Sequence, residues 1–266
     1  MNTQRWVGAM AALVLAPMLD AGATEAQVDQ AELARQLAEG APGQRYGAAR
    51  QILEMGPGNA DPPLRDALIG AFSEEAEAYR ASRGGQEPTP DLDALGRMAM
   101  VASEFEDPRT IEPMLKSIAA AMGSVRGLAA YGDPVVPPVV EIVREGRSPA
   151  EINSALITLR LLAEGVGRTP LSSSSREQLI DVARERMQPE QSVSTILWRA
   201  IDLAIALDDP DLRETVEAMA ADPAEVQSRL ANPEPDRVER VQQRASARLR
   251  GEPPEPTWET LSSRLR

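Results

Sequence analysis

The Asp-Pro pairs at Asp107-Pro108 and Asp133-Pro134 constrain this chain more than any other feature, because they confine two helices to about 26 residues (133 − 107). An aspartate ahead of a helix accepts from free amides, and a proline at the first helical position has no N–H to leave unpaired. Between the pairs, Ile111, Leu115 and Ile118 fall near one helical face, and Gly123 is expected to end that helix. Val125, Leu128 and Ala129 then begin a second apolar face, which Gly132 closes. On this reading Asp133 is the N-cap of the following helix.

The same grammar extends along the chain. Val28 to Glu39 and Tyr46 to Met55 read as a first pair, and Pro62-Pro63 open a longer helix with Leu64, Leu68, Phe72 and Tyr79 in phase. Thr89-Pro90 starts the next helix, which runs through Phe105. Ser148, Pro149 and Glu151 read as a reciprocal capping box, and Asp236 with Glu239 as a second one. Ser174 or Ser175 caps a helix through Met187, and another spans Val193 to Leu207. No convincing alternating run of β-branched residues occurs, and the prolines inside Val135 to Val143 fit a helix start better than a sheet. The chain is therefore expected to be all-α, with about ten to twelve helices.

Particular residues carry a family likeness. Ile111-Glu112-Pro113-Met114-Leu115 and Val136-Pro137-Pro138-Val139-Val140 place a proline among the apolar positions of a first helix. Val125-Arg126 opens a second helix that continues Ala129-Ala130-Tyr131-Gly132, and Asp-Pro recurs at Asp61, Asp209 and Asp222. Over roughly Asp107 to Asp209 this resembles the HEAT-like, armadillo-type helical repeats. The resemblance implies a right-handed α-solenoid of stacked antiparallel helix pairs, irregular at both ends, whose second helices line a protein-binding face. On that basis Ser154, Ile157 and Leu161 on one helix, with Trp198 and Arg199 on the next, are the candidate partner-binding residues. Ile157 and Leu161 lie opposite the main apolar face of their helix, so either another helix covers them or they form an exposed stripe that marks an interface.

Composition narrows the chemistry. With no Cys and no His among 266 residues, the chain has no thiol nucleophile, no Ser-His-Asp triad and no ordinary zinc site, and no Walker or GxGxxG loop appears. Asp61, Asp107, Asp133, Asp209 and Asp222 are accounted for as caps, and Glu151, Glu225 and Glu239 as box partners. Asp208, Asp209 and Asp211 lack the glycine and distal glutamate of a calcium loop. No cofactor or metal is expected. A net charge of −13 argues against nucleic acid and anionic membranes and leaves a protein with a basic surface as the fitting partner.

Residues 1–23 read as an export leader: Arg5 supplies the basic start, Trp6 to Leu19 the apolar run, and Ala21-Gly22-Ala23 the small-residue cleavage site. Residues 24–250 then form the helical-repeat domain and 251–266 a proline-rich tail, with Trp258, Leu261 and Leu265 amphipathic in phase. No other stretch is long enough to span a membrane, so an exported periplasmic or extracellular protein is expected. The leading functional expectation is a non-enzymatic scaffold for protein–protein interaction. The alternative is a carboxylate-dependent enzyme of envelope polysaccharide, which needs two unpaired carboxylates in a cleft beside an aromatic ring.

Overall fold

The computed structural model describes residues 29–83, 91–146, 148–189 and 192–263. The proposed leader, Thr89-Pro90 and Leu265 lie outside them. The fold is all-α: 77% of the structure is helix, with no strands, and Val135 to Val143 lie in helical turns. A single parallel bridge, Ser192 to Leu230, is the nearest approach to sheet among the described residues.

Fourteen α-helices follow one another among these residues. They are α1 Gln30–Glu39, α2 Pro42–Met55, α3 Pro62–Ser82, α4 Leu92–Ala102, α5 Ile111–Lys116, α6 Met122–Tyr131 and α7 Val136–Glu145. After these come α8 Pro149–Ala163, α9 Ser173–Arg186, α10 Ser194–Leu207, α11 Pro210–Ala221, α12 Pro223–Arg229, α13 Pro235–Leu249 and α14 Trp258–Ser263. Successive helices pack as pairs, and the pairs stack in two rows. In the first row α1 meets α3, α3 meets α5, α7 meets α9 and α9 meets α11. In the second row α2, α4, α6, α8, α10 and α13 each pack against the next. One continuous apolar core runs between the rows, from Leu33 to Leu261.

Local chemistry accounts for many boundaries. Asp61, Asp209 and Asp222 accept from the backbone amides of Leu64, Leu212 and Ala224, as N-caps ahead of proline. Asp107 accepts from the Arg109 amide and opens a 3₁₀ turn before α5.

Several expectations are corrected. Helix α2 begins at Pro42, where the Gln44 side chain accepts from the Ala41 amide. The cap of α4 is Asp91, which accepts from Asp93 and Ala94, and this helix ends at Ala102 rather than Phe105. Helix α5 stops at Lys116, where the Ser117 hydroxyl donates back to the Pro113 carbonyl at 2.7 Å and pairs with Ser124 at 2.8 Å. Gly123 therefore ends nothing; it lies inside α6, and a Cβ there would come within 2.7 Å of the Met100 amide nitrogen. The glycine lets α6 close on α4, a requirement invisible in the flanking residues.

Asp133 does not cap its own helix. Its carboxylate accepts from the Ser172 amide at 2.7 Å, 39 residues away, and hydrogen bonds from the Ser175 hydroxyl and the Ser172 amide hold it below the usual carboxylate range. Ser172, not Ser174 or Ser175, caps α9. Ser148 does cap α8, but Glu151 turns away from the box to pair with Arg83 at 2.5 Å. Glu225 pairs with Arg229 at 2.6 Å. Helix α13 starts at Pro235 behind Glu234, ahead of the expected Asp236, and Glu239 accepts from Gln243.

Candidate functional site

Helix α10, STILWRAIDLAIAL, is apolar except at a few positions, and one of these is Asp202, buried in the middle of the second row. A carboxylate taken out of water needs compensating charge and hydrogen bonds. Arg244 from α13 supplies both, its Nε donating to Oδ1 at 3.0 Å and a terminal nitrogen to Oδ2 at 2.9 Å. Arg199, one turn before Asp202, stands 3.5 Å from it, and Arg248 stands 3.3 Å from it. From α8, Arg160 is 1% exposed and holds both oxygens of Glu164, at 2.7 and 2.8 Å. Burial pushes Arg199 and Arg248 below the ordinary arginine value, with Asp202 opposing and the neighbouring guanidiniums reinforcing. Four guanidiniums (Arg160, Arg199, Arg244, Arg248) thus share two carboxylates (Asp202, Glu164) in a chain whose net charge is −13.

The segment after α13 lies along this cluster. Arg248 donates to the carbonyl of Glu252, Arg199 to that of Glu255 and Arg160 to that of Pro256. Pro254 and Leu261 are buried, the Arg126 guanidinium of α6 sits 5.0 Å from the Trp258 ring centroid, and α14 packs on α6. The segment therefore runs back across α13, α10, α8 and α6 instead of standing clear as a separate tail.

A second charged region opens on the first row. A cleft of about 230 Å³ is lined by Arg80, Glu112, Lys116, Glu141, Glu145 and Glu151, among others, and among the described residues no aromatic ring enters its wall. Lys116 bridges Glu77 at 2.7 Å and Glu112 at 2.8 Å. These contacts raise the lysine above its ordinary value, Glu112 contributing most, and lower Glu77.

The expected site residues divide between these surroundings. Ser154, Ile157 and Leu161 are buried, at 6%, 3% and 0% exposure, because α8 is enclosed by α6, α7 and α10; they form no exposed stripe. Trp198 is half-buried against the core, its indole Nε1–H buried and without an acceptor among the described residues. Arg199 is half-buried and joins the cluster, donating also to Asn153 at 2.9 Å. Sequence reasoning passed over Asp202 and Arg160, although a lone acid three residues after an arginine in an apolar helix is a signal that both are held internally. Asp209 is engaged as a cap, and among the described residues no group of three or more His, Cys, Asp or Glu side chains is disposed to hold a metal. No protein-family model, no curated protein and no solved structure matches this chain.

Proposed function

We propose that this protein is an exported, non-enzymatic scaffold of HEAT-like repeats that binds another protein along its second row of helices. The observation that carries the reading is the docking of residues 252–263 there. The second row already holds a peptide segment, non-helical from Glu252 to Thr257 and helical from Trp258, gripping its main chain through Arg160, Arg199 and Arg248. Stacked repeats present an extended binding surface, and a surface formed before its ligand arrives spares part of the ordering cost of association. Export rests on the basic, apolar and small-residue order of residues 1–23.

The enzymatic alternative finds less support. In the acidic cleft Glu112 is tied to Lys116 and Glu151 to Arg83, and the wall offers no aromatic platform for a sugar.

The absence of cysteine allows a direct test, since a photoreactive label can be attached at one introduced cysteine. Arg199→Cys places the label on the second row, and Glu217→Cys places it on an exposed site of the first row. Irradiated in the exported fraction, the label at 199 is expected to form discrete adducts with a small number of proteins, and the label at 217 to form none. Equal labelling from both positions, or none from 199, overturns the reading.

A further inference from the structure

The segment 252–263 leaves part of the second row's donor capacity unmet. Its grip by arginines is through carbonyl dipoles, which complement a guanidinium less well than a carboxylate does. Arg126 Nε and Arg160 Nε are buried and, among the described residues, lack a hydrogen-bond partner, both on residues that touch the segment. A buried donor without an acceptor keeps its desolvation cost. The local balance of four guanidiniums against two carboxylates points the same way: the track is short of negative charge. The segment's own acids do not make up the shortfall, since Glu252 turns to the exposed Arg250. Its side-chain recognition is concentrated at Pro254, Trp258 and Leu261.

From this we infer that the second row is a receptor for an acidic, proline-containing peptide of a partner protein, anchored by an aromatic residue on α6, and that residues 252–263 occupy the track in cis until exchanged. The inference rests on the second-row contact surface proposed above, and it names the chemistry of the ligand. It also reverses what net charge suggests: the chain is acidic, but the track selects acid. A partner carrying a carboxylate beside Arg160 would meet a donor that the resident carbonyls leave unmet. The tethered segment competes at high effective concentration, so the intact protein binds such a ligand more weakly than one whose own segment is loosened.

The probe is a fluorescent synthetic peptide of residues 251–263, GEPPEPTWETLSS, itself acidic through Glu252, Glu255 and Glu259. Its affinity is measured for the full chain and for full-length Trp258→Ala, which removes the aromatic anchor from the resident copy alone. The variant is expected to bind the peptide about tenfold more tightly or better. The same peptide carrying Pro256→Glu, which sets a carboxylate beside Arg160, is expected to bind at least several-fold more tightly, and added salt to weaken that gain. Equal affinity for the two chains, or no gain from the added carboxylate, overturns the inference. A second measurement does not depend on the fold of the variant: a fluorophore on Ser263→Cys in the otherwise natural chain should gain rotational freedom, saturably, as unlabelled peptide is added. An unchanged signal up to the solubility limit of the peptide overturns exchange. Such failures together with second-row adducts at position 199 would leave the scaffold reading standing without a resident competitor.

Discussion

Glu112 and Asp202 are both carboxylates paired with cationic side chains, Lys116 one turn on in α5 and Arg244 across on α13, yet the first is 76% exposed and the second 1%. In the first-row cleft, water screens each charge, and the excess of acids over bases costs little. In the second row the excess is of arginine, and it is enclosed, so it must be answered by whatever lies against it. Here that answer is a strand of backbone carbonyls. The contrast teaches that a net charge summed over a chain describes its solvated faces and says little about a buried site. Most of the acids that make up the −13 have no part in the second-row track.

The sharpest way to break this comparison is Asp202→Asn, which keeps the volume and removes the charge. Four guanidiniums would then share Glu164, and a loss of about 3–5 kcal/mol of unfolding free energy is expected from urea denaturation. A loss below about 1 kcal/mol would mean that the cluster is as well solvated as the cleft.

Acid should come next in effect, and it should act through the first row. Asp107, held down chiefly by the hydrogen bond from Arg109, and Asp133, held down by Ser175 and Ser172, both titrate lower folded than unfolded. The stability they contribute is fully present above the ordinary carboxylate value and is lost as pH falls through the depressed folded values. The melting temperature should therefore decline below about pH 4, and Arg109→Ala should flatten that decline. A melting curve indifferent to pH in this range would remove both carboxylates from the account. The smallest change is expected for Glu112→Gln, within about 1 kcal/mol and shrinking with added salt in thermal melts. A larger, salt-insensitive loss would show that the cleft is not a solvated face after all.

What the sequence could disclose follows the range of the interactions. Asp61, Asp209 and Asp222 cap helices within three residues of themselves, and their roles follow from neighbours alone. Gly123, Asp133 and Glu151 obey the same local rules on paper, but Met100, Ser172 and Arg83 claim them from other helices. The second-row site is of this kind throughout. Arg199 was visible as a candidate partner-binding residue, but its meaning depends on Asp202 and Arg244 and on Glu255, 56 residues away. Ile157 and Leu161 carried the right signal, an apolar face with no local use, and the helices that use it are α6, α7 and α10.

The return path of residues 252–263 also changes how the array can come apart. A linear stack is held by nearest-neighbour terms, and it can unzip from an end one unit at a time. Here Arg160 and Pro256 are joined across 96 residues, and Trp258 reaches still farther back to α6. Fraying at α11 to α13 pulls on the middle of the stack, so the last pairs and the central ones should open in a single cooperative step, visible as a shared hydrogen-exchange rate. Folding bears the matching burden, because this strap closes only after the units it spans have formed, and its contacts raise the contact order of an otherwise local fold.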